Sequence, residues 1–294
     1  MSPPKASTRK KTAARKAAAA PKTTAARKTA AAPKKAVAPQ KSPAAKKSPA
    51  AKRTTRNATA PKGASRKAAV SGTPGVTTIP TDVRDIELDF QGRVVRLTNL
   101  DKPFWPELGI SKRDLLQYYA RIAPVLLPHL QDRAMVMKRY PNGAHGEFFF
   151  MKRAPSPRPE WIETCSVSHG SGNVIDFPII QDLPSLLWVI NLGCIDLNPW
   201  YARCDDTDRP DYLHFDLDPV PHASFDQVIE TAFLVKHGLE GLGMECYAKT
   251  TGSKGIHVYV PIKRGPLQKE VWTFAKSIAM GMAAHAPKLV TAEY

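Results

Sequence analysis

Acidic residues are missing from the opening stretch of this 294-residue chain. Residues 1–80 contain 20 Lys and Arg and neither Asp nor Glu, so they carry +20, against +17 for the whole chain. Residues 81–294 hold the other 23 basic and all 26 acidic residues and carry −3. The excess positive charge therefore belongs to an arm, and a uniformly basic globular protein is excluded. Large apolar residues are equally scarce there. Through residue 70 they are only Met1, Val37 and Val70, and the first aromatic residue is Phe90. A segment so composed cannot bury enough surface to offset chain entropy, so residues 1–80 read as a disordered Lys/Ala/Pro-rich tail and linker. Cysteine is sparse: Cys165, Cys194, Cys204 and Cys246 form no C-x-x-C pair. That speaks against a Cys-based zinc site or a disulfide framework and for a reducing, cytoplasmic setting. No apolar run approaches the ~20 residues of a membrane span, and no apolar signal segment opens the chain, so no membrane partner is expected.

The arm contains a direct repeat, Lys41-Ser-Pro-Ala-Ala-Lys46 followed by Lys47-Ser-Pro-Ala-Ala-Lys52, and its prolines interrupt the helix that alanine favours. Its composition resembles the tails of linker histones. A mobile polycation of this kind binds nucleic acid by counterion release without reading sequence. A solubilising arm or an acid-poor transit peptide is the alternative, although Lys outnumbers Arg 14 to 6.

Residues 81–294 have the length of one large domain or two small ones. Arg93–Leu100 alternates like a strand. Ser111 with Asp114 three residues on reads as the N-cap of a helix carrying Leu115, Tyr119, Ile122 and Leu126 at helical spacing, with Pro128 marking its end. Arg133–Tyr140 reads as a strand, Leu186–Leu192 as a buried helix and Leu213–Val220 as a strand. A helix capped by Ser224 and Gln227 runs to about His237. Strands at Glu245–Thr250 and His257–Ile262 and a helix at Leu267–Ala284 follow. Strands mixed with helices indicate an α/β or α+β body.

Two motifs carry chemistry. In His214-Phe-Asp216-Leu-Asp218-Pro, strand alternation puts His214, Asp216 and Asp218 on one face and Phe215 and Leu217 in the core. Two carboxylates ~7 Å apart along a strand repel unless a cation lies between them, and oxygen ligands favour Mg²⁺ or Mn²⁺. Alone, Asp-x-Asp is common at solvated strand ends. In Thr250-Thr251-Gly252-Ser253-Lys254-Gly255-Ile256-His257, glycines, hydroxyls, a lysine and a histidine sit at a strand–loop–strand junction. That set suits a phosphate cradle, although the spacing is not that of a Walker loop and an ordinary hairpin is the plainer reading. Separated by one helix, the two motifs together suggest a metal-plus-triphosphate site.

HFDLDP followed by TGSKGIHVYVP resembles the polymerase domain of bacterial DNA ligase D, of the archaeo-eukaryotic primase superfamily. The resemblance covers roughly residues 90–294 and includes LTNLDKPFWPELGISKRDLLQYY (97–119), KRYPNG (138–143), FFMK (149–152) and NPW (198–200). It implies a primase–polymerase fold of mixed sheets flanked by helices. The implied activity is template-directed nucleotidyl transfer from NTP or dNTP at DNA ends in non-homologous end joining, with two Mn²⁺ or Mg²⁺ ions. The expected partners are DNA with a recessed 5′-phosphate, Ku and a ligase domain, in the bacterial nucleoid. By the same resemblance Asp216 and Asp218 hold metal, and with His257 they form the catalytic set. Thr251, Ser253, Lys254, Gly255, His257 and Asn198 contact nucleotide. Asn99, Lys102 and Lys112 form the 5′-phosphate pocket, and Lys138, Arg139, Phe149 and Phe150 line the template path. Asn198 stands where many members have His-Pro-Trp, and Thr251 replaces a usual serine. The family's third metal carboxylate lies beyond Leu289-Val290-Thr291, and Glu293 is not at its position. The chain is therefore expected to be truncated after Tyr294. A non-catalytic module that binds DNA ends through the 5′-phosphate is the alternative.

Overall fold

A computed structural model describes the backbone of residues 66–69 and all of residues 77–168 and 172–292. Most of the expected disordered tail lies outside the described residues. Two parts of it are described and ordered. Strand β1 (Arg66–Ala69) runs parallel to β2 (Ile86–Phe90), which pairs antiparallel with β3 (Arg93–Leu97). In the expected linker Ile79 is 2% exposed, within the main core. Gln117 holds the approach to it, its side chain accepting from the Ile79 N–H (2.8 Å) and donating to the Thr77 carbonyl (2.9 Å). The ordered body thus starts before residue 81, because one isoleucine and a backbone bridge suffice to anchor the chain.

β4 (Pro103–Trp105) and β5 (Ile110–Ser111) form a short ribbon leading into α1 (Lys112–Leu130). The reciprocal Ser111–Asp114 capping box forms as the sequence predicts. The helix does not stop at Pro128. It continues through Pro124 and Pro128 to Leu130, whose burial on the core holds the last turn, and the Gln131 N–H closes it on the Leu127 carbonyl at 3.0 Å. A proline removes one N–H and crowds one carbonyl, and here packing outweighs that loss. The buried stripe Leu116, Ala120, Ala123 and Leu130 faces the core shared with α2 (Leu183–Asn191) and with Met135 and Met137 of β6 (Met135–Arg139). Each fully buried large side chain contributes roughly 1.5–3 kcal/mol.

β6 is the centre of a three-stranded antiparallel sheet between β7 (Phe149–Met151) and β10 (Cys194–Pro199). A hairpin of β8 (Thr164–Ser168) and β9 (Val174–Pro178) precedes α2. β11 (Ala202–Arg203) and β12 (Asp206–Pro210) pair and lead into β13 (Tyr212–Leu217). After α3 (Phe225–Glu240) come β14 (Tyr247–Thr250) and β15 (Ile256–Pro261), then α4 (Gln268–His285). β13, β15 and β14 form an antiparallel sheet in that order. Leu213, Phe215, Ile256, Val258 and Val260 face a second core with Val228, Val235 and Leu239 of α3 and Val271 and Met282 of α4. Both helices cover this one face and leave the other open.

The two cores are joined by a buried cation. Arg133, 4% exposed, donates to the carbonyls of Trp200 (3.2 Å) and Tyr201 (3.0 Å) and pairs with Asp211 at 2.7 Å, immediately before β13. Its guanidinium also lies over the Tyr212 ring, 4.8 Å from the centroid.

Candidate active site

The open face of the second sheet is a grid set by register. Asp216, His257 and Lys249 stand in one row across β13, β15 and β14, and His214, Tyr259 and Tyr247 stand in the next. His257 Nε2 is 3.2 Å from Asp216 Oδ1, and His257 Nδ1 is 3.4 Å from the Tyr259 hydroxyl. A ring nitrogen of His214, one of His257 and an oxygen of Asp216 all lie within 4.8 Å of one another. Tyr201, delivered by the chain that Arg133 holds, reaches His214 Nε2 at 3.3 Å. Burial and then the neighbouring His257 ring lower the His214 pKa, against the pull of Asp216. Asp216 and Asp218 are both exposed, and the alternation expected from HFDLDP is present, with Leu213 and Phe215 buried beneath.

The loop after β14 lies against the end of β13. Thr251 closes it: its N–H donates to the Gly255 carbonyl at 3.0 Å, and its hydroxyl accepts from the N–H groups of Ser253 and Gly255, each at 3.2 Å. Gly252 has φ +81°, a left-handed conformation that favours glycine. A Cβ on Gly255 would sit 2.5 Å from the Leu217 carbonyl oxygen and 2.8 Å from Asp218 Oδ1, so only glycine allows this approach. The loop and the Asp-x-Asp strand are thereby in direct contact, while Ser253 and Lys254 project to solvent. Asp216 has only the His257 ring as an ion-pair partner among the described residues. Two exposed carboxylates with no Lys or Arg partner among the described residues are a donor set that can take a divalent cation.

A second constellation forms at the start of α1. Asn99, at φ +53°, accepts from Arg84 at 3.2 Å and donates its N–H to Asp85 at 2.6 Å. The Lys112 N–H donates to the Lys102 carbonyl at 2.8 Å, which sets the two lysines side by side. Lys102 Nζ donates to the Pro141 carbonyl. Lys112 is 5% exposed, and its Nζ donates to the Thr98 carbonyl at 2.8 Å. Burial, then Lys102 and, after the opposing Asp85, Arg139 bring its pKa from 10.5 down to about 8. Cations crowded around a helix N-terminus can hold an anion. Asn99, Lys102 and Lys112 are thus together, and Arg139 joins them.

This separates Arg139 from Lys138, which the sequence reading grouped on one path. They are consecutive on β6 and project to opposite faces. Arg139 stacks on Phe149 (5.2 Å to the ring centroid) and donates to the Leu192 carbonyl at 2.8 Å. Lys138 lies over Phe148 at 4.3 Å and Phe150 at 5.9 Å and pairs with Asp196 at 3.1 Å, to which Tyr140 also donates at 3.2 Å. Phe148, 51% exposed, extends the pair Phe149-Phe150 to a run of three rings, and its ring lies nearer Lys138 Nζ than that of Phe150. Asn198 lies on β10 on the Lys138 face. Its side-chain contact is with the Asp196 carbonyl at 3.4 Å, and among the described residues no hydrogen bond joins it to the 251–257 loop.

Residues 111–294 match the family model described as LigD, primase-polymerase domain. The multifunctional non-homologous end joining protein LigD of Mycolicibacterium smegmatis is 36% identical over 200 residues, which are 67% of this chain and 26% of that protein. The bifunctional non-homologous end joining protein LigD of Bacillus subtilis is 30% identical over 200 residues, 68% of this chain and 32% of that protein. The chain thus spans between a quarter and a third of the length of these relatives. The polymerase domain of Mycobacterium tuberculosis ligase D, solved in complex with DNA, superposes with a TM-score of 0.62 at 30% identity, covering 68% of this chain and 72% of that one. Its mixed α/β architecture is the one expected for this sequence. With the Asp-x-Asp strand pressed against a glycine loop, and with family, relatives and fold in agreement, this chain belongs to the LigD primase–polymerase domain family.

Proposed function

We propose that this chain catalyses template-directed nucleotidyl transfer at DNA ends during double-strand break repair by non-homologous end joining, in the bacterial cytoplasm at the nucleoid. The observation that carries the reading is the contact of Gly255 with Leu217 and Asp218, which brings a phosphate-type loop onto a two-carboxylate strand. Asp216 and Asp218 would hold Mg²⁺ or Mn²⁺, which would supply charge neutralisation and lower the pKa of the primer 3′-hydroxyl; the hydroxyl attacks the α-phosphorus in line and pyrophosphate leaves. The Ser253 and Lys254 side chains and the N–H groups of Gly252 and Lys254 orient the triphosphate of an NTP or dNTP on the loop that Thr251 and Gly255 close. The Thr251 hydroxyl, already accepting from the Ser253 and Gly255 N–H groups, keeps the loop shaped. His257 turns from Asp216 to donate to a phosphate oxygen, and Asn198 remains a candidate for a further phosphate contact from β10.

Asn99, Lys102 and Lys112 anchor the recessed 5′-phosphate, with Arg139 as a fourth contributor. Lys138, Phe148 and Phe150 accept template bases by stacking, which tolerates any sequence, while Phe149 supports Arg139. The basic arm raises affinity for DNA without selectivity. Ku and a ligase domain are the partners such a reaction calls for.

Primer extension and gel shift on the same preparations test the assignment. Asp216→Asn or Asp218→Asn is expected to abolish metal-dependent extension and leave discrimination between 5′-phosphate and 5′-hydroxyl ends intact, because the two pockets share no residue. Extension at wild-type rates by either variant would remove the metal role.

A further inference from the structure

We propose that His214, His257 and Asp216 form a site for a borderline transition metal of the Zn²⁺ or Co²⁺ class, distinct in donor chemistry from the Asp216–Asp218 pair and competing with it for Asp216. The proposal goes beyond the polymerase reading and stands or falls with the metal alone. Three side chains from two adjacent strands present two imidazole nitrogens and one carboxylate oxygen within 4.8 Å of one another. Imidazole donors select Zn²⁺, Co²⁺ or Ni²⁺, whereas Mg²⁺ and Ca²⁺ take all-oxygen sets. With bonds of ~2.0–2.1 Å, neighbouring ligands of a tetrahedral ion lie about 3.3 Å apart. His257 Nε2 and Asp216 Oδ1 are already at 3.2 Å, one finished edge of such a polyhedron. His214, whose ring nitrogen lies within 4.8 Å of the other two donor atoms, supplies the third vertex and leaves the fourth to water or to a phosphate oxygen.

His214 also has the surroundings of a ligand. Tyr201 reaches its Nε2 at 3.3 Å, and the Tyr259 ring stacks on it with centroids 5.6 Å apart, so the imidazole is fixed in orientation. Its Nδ1 is buried and has no hydrogen-bond partner among the described residues. Leaving a buried nitrogen unpaired is costly, and nothing in the proposed polymerase mechanism uses it. With a metal bound there, His257 and Asp216 are both tied down, and both are residues the proposed reaction needs free. Zn²⁺ is therefore expected to inhibit nucleotidyl transfer while leaving the 5′-phosphate pocket untouched.

The test uses the full chain in buffer free of other divalent ions, titrated with Co²⁺ alone and followed by visible absorption, with Zn²⁺ as competitor. The arm contributes no competing ligand, since the first histidine is His129 and residues 1–80 contain no Asp, Glu or Cys. One equivalent of Co²⁺ is expected to give a band typical of nitrogen ligation that Zn²⁺ displaces. His214→Phe keeps a flat ring against Tyr201 and Tyr259 and removes the orphaned nitrogen, so it is expected to fold. It should weaken Co²⁺ binding roughly tenfold or more and lose the band. Asp218→Asn should keep both. Should His214→Phe fail to fold by circular dichroism, His214→Gln takes its place with the same expectation. An unchanged band and affinity in the His214 variant, equal loss in Asp218→Asn, or no band in the parent protein would each overturn the site.

Discussion

Lys112 offers a sharp test of the anion pocket, because its charge is held under strain. Burial and the cations beside it lower its pKa from 10.5 to about 8, so its protonated form is disfavoured by about 3 kcal/mol in the free protein. A bound phosphate restores the proton. Binding of a recessed 5′-phosphate should then take up a proton above pH 8, and affinity should fall by roughly tenfold between pH 7 and pH 9, or about 1.4 kcal/mol. The assay is fluorescence anisotropy with paired 5′-phosphate and 5′-hydroxyl duplexes, read as the ratio of their affinities from about pH 6.5 to about pH 9.5. Wild type should lose discrimination as pH rises through 8, and Lys112→Met should show weak, pH-independent discrimination. Stability follows the opposite course. The folded chain binds fewer protons than the unfolded chain between pH 8 and pH 10.5, so stability should rise with pH across that window, and Lys112→Met should flatten the rise. A wild-type ratio that stays constant from pH 7 to pH 9 would refute the reasoning, since it would mean that Lys112 either keeps an ordinary pKa or does not touch the phosphate.

Gly255→Ala must push Leu217 or Asp218 aside. It should lower kcat/KM for primer extension by about 10²-fold, whereas Gly252→Ala, with open space around it, should act mainly through local backbone strain of about 1 kcal/mol. Steady-state kinetics with urea melts separates these, and equal mild effects would dissociate the loop from the carboxylates. Arg133→Met leaves Asp211 with Arg203 alone at 2.9 Å and should cost about 3 kcal/mol in urea denaturation. A loss under 1 kcal/mol would show that the join between the two cores is carried elsewhere. Deleting residues 1–65, which spares β1 and Ile79, removes charge +18, so log K against log[salt] for DNA should become markedly shallower, and equal slopes would take the arm out of DNA binding.

The sequence made the chemistry legible where it is written in consecutive residues. His214-Phe-Asp216-Leu-Asp218 declares its faces by alternation, and the Ser111 and Ser224 caps announce their helices through the partner three residues on. What the sequence hid depends on distant chain segments. Arg139 reaches the vicinity of Lys112 only because β6 packs beside α1, and no local pattern ties the two. Tyr201 meets His214 because Arg133 holds the Trp200–Tyr201 backbone. Strand alternation alone would have separated Lys138 from Arg139, but the motif KRYPNG draws the eye to its cluster of charge. Pro128 overstated the helix end, since a proline's local cost says nothing of the core that Leu130 enters. Ile79 was invisible as an anchor because its neighbours are those of a linker.

The two cations of β6 have a further consequence. Lys138 and Arg139 are separated by one peptide bond, yet one looks to the edge-to-face rings of Phe148 and Phe150 and the other to the cluster around Lys112. On the roles proposed above, the strand would act as a partition wall, and its thickness as the ruler between the template bases and the 5′-phosphate at the far side of the gap. Such a ruler has no slack. Inserting or removing a single residue in 135–139 would exchange the rooms that the two side chains occupy, and lengthening either side chain would not restore the spacing. Gap length would then be gauged against a backbone dimension that side-chain mutation leaves unchanged.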